Sequence, residues 1–174
     1  AQRRRSGGVR SGTIVAMVMD SFEAEARFHE LAAAGDEALG LAEGALLIAA
    51  MEAPDVDVEA CLEEIEVLAD EARPRIARVA GPAAGLTALG SFLGLSVGFH
   101  GNEEAYADPA NSLLHRVLER RTGIPVTLAV VWIEVGRRAG LPLVGIGLPL
   151  HFLVGAAGGH GLYADPFGRG RLLA

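Results

Sequence analysis

From residue 20 to about residue 96, apolar side chains recur at helical spacing. In "SFEAEARFHELAAA" Phe22, Phe28 and Leu31 fall near one face, with Gly35 as a stop. "DEALGLAEGALLIAAMEA" continues the pattern, with Leu39, Leu46, Leu47 and Ile48 as core candidates, until Pro54 breaks it. Asp55 or Asp57 then caps "VEACLEEIEVLADEAR", where Val58, Leu62, Ile65 and Leu68 form an apolar stripe and the glutamates face water. The spacing predicts a fourth helix over "AAGLTALGSFLGLS".

The pattern changes at Gly98. "GFHGNEEAYADPANS" is rich in turn residues, and "SLLHRVLERR" makes a short helix with Asn111 or Ser112 as its cap. Pro125 then opens "VTLAVVWIEVGRRAG", which is apolar nearly all round, hence a buried helix, ending at Gly140. Strand-like runs follow, "LVGIGL", "HFLVG", "GLYAD" and "RLL", and the short turns between them predict antiparallel neighbours. Helices followed by a small antiparallel sheet, with one buried helix against it, make an α+β fold.

Half of the 174 residues are apolar, yet no apolar run reaches the ~18 residues of a membrane-spanning helix. The single cysteine, Cys61, excludes an internal disulfide and points to the cytoplasm; beside the stripe of its helix it reads as a buried structural residue. All fifteen basic residues are arginine, which excludes a lysine nucleophile or Schiff base. The net charge of −7 divides as +4 over residues 1–19, −12 over 20–96 and +1 over 97–174. An acidic middle argues against nucleic acid as a partner. The first segment has arginines before a short apolar run, but Asp20 stands where a signal-peptide cleavage site belongs, so residues 1–19 read as a disordered leader. The expected organisation is that leader, an acidic helical region over 20–96 and a core over 97–174.

His151 and Asp165 lie on successive strand-like runs, the order in which a general base and its orienting carboxylate occur. A nucleophile at the first turn of the buried helix would gain from the helix dipole. Val126 and Thr127 stand there instead, and a threonine hydroxyl is a poor nucleophile without strong activation. Thr127 can also be read as capping its own helix, Ser112 as a helix cap, and His151 as a hydrogen-bonded core histidine. His100 and His115 read as loop and surface residues and His160 as a solvated turn residue. His100, His151 and His160 lack compact ligand spacing, so no metal and no cofactor is expected.

The run from Gly101-Asn102 through Tyr106, Asp108-Pro109, Asn111-Ser112, Arg121, Gly123-Ile124-Pro125 and Arg138-Ala139-Gly140-Leu141-Pro142 to His151-Phe152 and Asp165-Pro166 resembles the bacterial SirB-type family of the transglutaminase-like superfamily. The resemblance spans residues 98–167 and, more weakly, the helices before them. It implies a papain-like core in which His151 and Asp165 carry over as histidine and aspartate. The cysteine of active relatives, which would fall within Pro125 to Thr127, does not carry over, and members of this family usually lack it. Leu150 replaces the glycine common before that histidine. Members often carry repeats after this domain, so the core is either truncated at its carboxy-terminal side or that of a short member. The expectation is a non-catalytic binding or regulatory module with a protein or peptide partner. In it a buried His151–Asp165 pair lines a cleft with Asn102, Asn111 and Trp132, and Tyr106 stands nearby. The alternative is an amide or ester hydrolase, or an acyltransferase, using Ser112, Thr127 or a bound water with His151 as base.

Overall fold

The computed structural model describes residues 19–34, 40–53, 55–149, 151–158 and 161–174. Gly35, Leu39, Pro54, Leu150, His160 and residues 1–18 of the expected leader lie outside them. Met19, the last residue of that leader, is buried with the core, and the Asp20 side chain caps α1 (Ser21–Ala33) by accepting the Glu23 N–H at 2.8 Å.

Helix α1 packs on α2 (Leu41–Glu52), and Arg27 ties them to the next helix through Glu43 and Glu59, each at 2.7 Å. Leu46 and Leu47 are fully buried, as the pattern requires, but Ile48 and Phe22 are exposed. Successive helical residues turn by about 100°, so a third consecutive apolar position points away from the face the first two share. Asp57 caps α3 (Val58–Ala77) by accepting the Ala60 N–H at 2.9 Å, and Val58, Ile65 and Leu68 face the core.

The expected fourth helix is two pieces. Helix α4 runs Gly81–Gly90 and then widens into a π-helical segment, Ser91–Val97, closed by Gly98 at φ +94°. The cause is a close approach by a distant turn. A β-carbon on Gly94 would stand 2.0 Å from the Arg169 carbonyl oxygen, and one on Gly90 would stand 3.2 Å from that of Gly170. Glycine at both positions leaves room for that chain where a β-carbon would meet backbone.

A two-residue parallel bridge, β1 (His100–Gly101) with β2 (Thr122–Gly123), brackets a 3-10 turn, Pro109–Ser112, and α5 (Leu114–Arg120). Ser112 does not cap that helix: Leu113 holds the cap position without a side-chain bond, while Asp108 caps the 3-10 turn at the Ala110 N–H, 3.0 Å away.

Helix α6 (Pro125–Arg138) is the buried element. Trp132 is fully enclosed and meets Phe99 edge-on, with ring centroids 5.8 Å apart. Against α6 lies an antiparallel meander, β3 (Leu143–Leu148), β4 (His151–Ala156), β5 (Tyr163–Asp165) and β6 (Arg171–Leu173), in that spatial order. This is the α+β fold expected from the sequence. One detail departs from the all-apolar reading of α6: Glu134 is 1% exposed, held by Arg137 at 3.0 Å and by Arg138.

Gly94→Ala is expected to destabilise the fold by about 1–3 kcal/mol or more, because its methyl group would meet backbone rather than a movable side chain. Urea unfolding of the variant against the parent measures it.

Candidate functional site

His151 is the first residue of β4, opposite Leu148 on β3, and its ring is exposed. It stands at a cleft of about 480 Å3 whose other walls are Tyr106, Phe152, Leu148 and the start of α6, Ile124 to Val126. Pro125 has no N–H, and no side chain caps the helix, so its first turn presents unsatisfied backbone donors and the positive end of the helix dipole.

The expected buried contact between His151 and Asp165 is not formed. Asp165 is buried, but its carboxylate accepts from Arg171 at 3.2 Å, its directly opposite neighbour on β6. The β4–β5 register pairs Val154 with Ala164; continued by one residue, it sets Asp165 opposite Leu153. His151 is two residues further along the same face, a diagonal neighbour, and diagonal spacing of about 7–8 Å is beyond hydrogen-bond reach for short side chains. Arg171 has the nearer position and takes the carboxylate.

Neither hydroxyl candidate bonds to the imidazole. Thr127 is buried, and its hydroxyl donates to the Asn111 carbonyl oxygen at 2.8 Å, with the Ile124 carbonyl oxygen at 3.1 Å as a second acceptor. Ser112 is exposed on the 3-10 turn and does not line the cleft. The single cysteine is on α3, half-buried in a separate pocket with His115. Burial, with Glu64 and Asp57 nearby, pushes its thiol up to about 11, so it stays protonated and unreactive.

The asparagines build the cleft rather than face it. Asn111 is fully buried, and its amide donates to the carbonyls of Ala105 at 2.8 Å and Tyr106 at 3.2 Å. Its side-chain oxygen accepts from Asn102 at 3.0 Å, whose own oxygen accepts the Ala105 N–H at 3.0 Å. The Asn111 backbone carbonyl also receives the Ile124 N–H at 3.3 Å. This network fastens the 102–111 loop to the start of α6 and sets Tyr106 over the cleft, its ring 6.0 Å from that of Phe167. Trp132 lies in the core and does not reach the cleft; its indole N–H has no partner among the described residues. Beside Asp108, the Ala110 N–H and the Arg120 guanidinium hold the carboxyl below the usual range.

Sequence reasoning missed the apolar walls, Val126, Leu148 and Phe152, which carry no chemical signature. It also took His115 as a surface residue, whereas the side chain is 8% exposed and neither ring nitrogen has a partner. The "LLHRVL" run puts His115 next to Leu114 on the face that packs inward, a signal the pattern did contain. Burial and then Arg116 hold its imidazole below the ordinary 6.5.

Two outcomes follow from these environments. Asn111→Ala leaves the Tyr106 carbonyl and the Asn102 amide without partners, takes one of two donors from the Ala105 carbonyl, and is expected to cost about 1–3 kcal/mol in urea unfolding, more than Asn102→Ala at its half-buried position. For His115 the unfolded chain takes up a proton, below 6.5, that the native ring refuses. Its contribution to stability is therefore retained above that pH and lost as pH falls through and below it. The urea midpoint of the parent should decline more steeply on acidification than that of His115→Phe.

A family model described as the transglutaminase-like superfamily matches residues 59–174, from the first turn of α3 through the whole sheet. The chain is 40% identical over 147 residues to a UPF0162 protein of Xylella fastidiosa (strain Temecula1), covering 84% of this chain and 52% of that protein. It is 33% identical over 133 residues to a UPF0162 protein of Vibrio cholerae, covering 75% and 49%. It is 38% identical over 84 residues to mouse F-box only protein 21, covering 43% of this chain and 13% of that protein. The chain spans about half the length of the bacterial relatives. No solved structure matches it. With the family model covering two-thirds of its length, from α3 to β6, the chain belongs to the transglutaminase-like superfamily.

Proposed function

We propose that this is a transglutaminase-like domain of the SirB type that binds without reacting, a regulatory module whose cleft takes an extended segment of a protein partner. The observation that carries the reading is the first turn of α6. Facing His151 across the cleft it offers Pro125 and Val126, while the Thr127 hydroxyl is turned inward to Asn111. A base is present and the group it would activate is not. Tyr106, Val126 and Leu148, each about half-exposed, give the cleft an apolar lining suited to side chains of such a segment. The relatives add support, since matching stretches of this chain make up about half of one relative and a small part of another. That distribution suits a module put to use in different chains. A cytoplasmic location fits the unpaired Cys61. No helix among the described residues is long and apolar enough to cross a membrane.

One observation favours a second reading. The His151 ring is exposed in a cleft that also contains the donor end of a helix, so a bound water could be activated by the imidazole, with backbone N–H groups for an oxyanion. The two readings part on turnover. On the binding reading, the parent and His151→Ala cleave fluorogenic ester and amide substrates at the same background rate. A parent rate well above that of a folded His151→Ala variant would overturn it in favour of the hydrolase.

A further inference from the structure

A larger and more polar cavity, of about 650 Å3, lies between the bridge β1–β2 and the turn joining β5 to β6, with the Phe167 ring in its wall. His100 lines it with a fixed tautomer. Its Nδ1 lies 2.9 Å from the Gly98 carbonyl oxygen, which can only accept, so Nδ1 carries the proton and Nε2 of the neutral ring remains an acceptor. Glu103 and Glu104 also line the cavity, exposed and without an ion-pair partner among the described residues. Arg120 is there too, but Asp108 engages it at 3.0 Å.

The unusual member is Arg169. Its φ of +58° is the left-handed conformation that disfavours every residue with a β-carbon, and its neighbours Gly168 and Gly170 are both glycine. The turn cannot relax, because the Arg169 carbonyl is pressed against Gly94 and Gly170 against Gly90. Its side chain is exposed and forms no hydrogen bond or ion pair among the described residues, so no polar contact among them accounts for an arginine where glycine would be unstrained. A strained residue whose side chain has no polar partner among the described residues points to a ligand outside the fold.

We propose that this cavity binds a small zwitterion of the α-amino-acid kind, its carboxylate held by Arg169 and its ammonium group by Glu103 and Glu104. The charges select the ligand class. A phosphate or dicarboxylate would meet repulsion from the two glutamates, and a simple cation would leave Arg169 unpaired. A ligand carrying both charges answers both sides, with Nε2 of His100 as a further acceptor for an ammonium N–H. This site is separate from the His151 cleft and does not depend on the reading given to that cleft.

Saturation-transfer NMR with the standard amino acids, each offered singly at millimolar concentration, tests the proposal. At least one is expected to bind, and its N-acetyl and carboxamide derivatives to bind at least about tenfold more weakly. Arg169→Gly should lose about tenfold in affinity while unfolding at or above the parent temperature, since glycine fits the left-handed turn. The exposed pair Glu103→Gln with Glu104→Gln should lose affinity without a change in melting. The proposal is overturned if no amino acid binds, if the blocked derivatives bind equally well, or if inorganic phosphate binds and amino acids do not. It is equally overturned if either variant keeps the parent affinity, or if Arg169→Gly melts below the parent, which would mean the fold itself needs the side chain.

Discussion

The buried hydrogen bond from the Thr127 hydroxyl to the Asn111 carbonyl oxygen, 2.8 Å long, joins the parts on which the cleft depends. Helix α6 begins at a proline, which donates nothing, so its first turn must be oriented by other groups. Asn111 supplies them from the 3-10 turn: its carbonyl receives both Thr127 and the Ile124 N–H, and its side chain holds two carbonyls of the preceding loop. One enclosed asparagine thereby sets the helix start, the loop and the position of Tyr106. Each of its polar groups is satisfied inside the protein, the condition under which a buried polar residue fixes a structure rather than weakening it.

Much of this architecture was legible in the chain because burial was one-sided. Val58, Ile65 and Leu68 on α3 point inward as their spacing requires, and the meander follows from short turns between strand-like runs. Phe22 and Ile48 were misread because hydrophobicity alone was counted and not the angle at which each side chain leaves its helix. The π-helical segment was not legible at all. Its cause is the approach of Arg169 and Gly170 to Gly94 and Gly90, and nothing local to "GSFLGLS" announces a chain that arrives from the far end of the sequence.

The candidate site divides in the same way. That His151 and Asp165 would lie on adjacent strands could be read from their order, but whether they touch depends on register, which order does not give. Nothing in the "RLL" run marks Arg171 as a competitor for Asp165. In the sheet it lies directly opposite Asp165, and a guanidinium at that distance is a stronger partner for a carboxylate than an imidazole on the diagonal. His115 shows the opposite error. Histidine was assigned to the surface by its polarity, although the apolar neighbours on its helix already marked the buried face.

These contacts decide what the polar groups of the expected triad do in this fold. The polar groups at the corners of the expected triad have other work in the fold: Asp165 neutralises Arg171, and Thr127 fastens α6 to Asn111. Only His151 is left over, exposed and with no hydrogen-bond partner among the described residues. A thiol placed at position 127 would therefore not be a simple gain. A thiol there is a weak donor, so the Asn111 carbonyl would lose much of its buried bond, and the group that should swing toward His151 would be leaving a place the fold needs filled. Freeing Asp165 to orient His151 would likewise strip Arg171 of its partner. The structural uses of its polar residues thus hold the shape of the cleft, with Asp165 kept by Arg171 and Thr127 by Asn111.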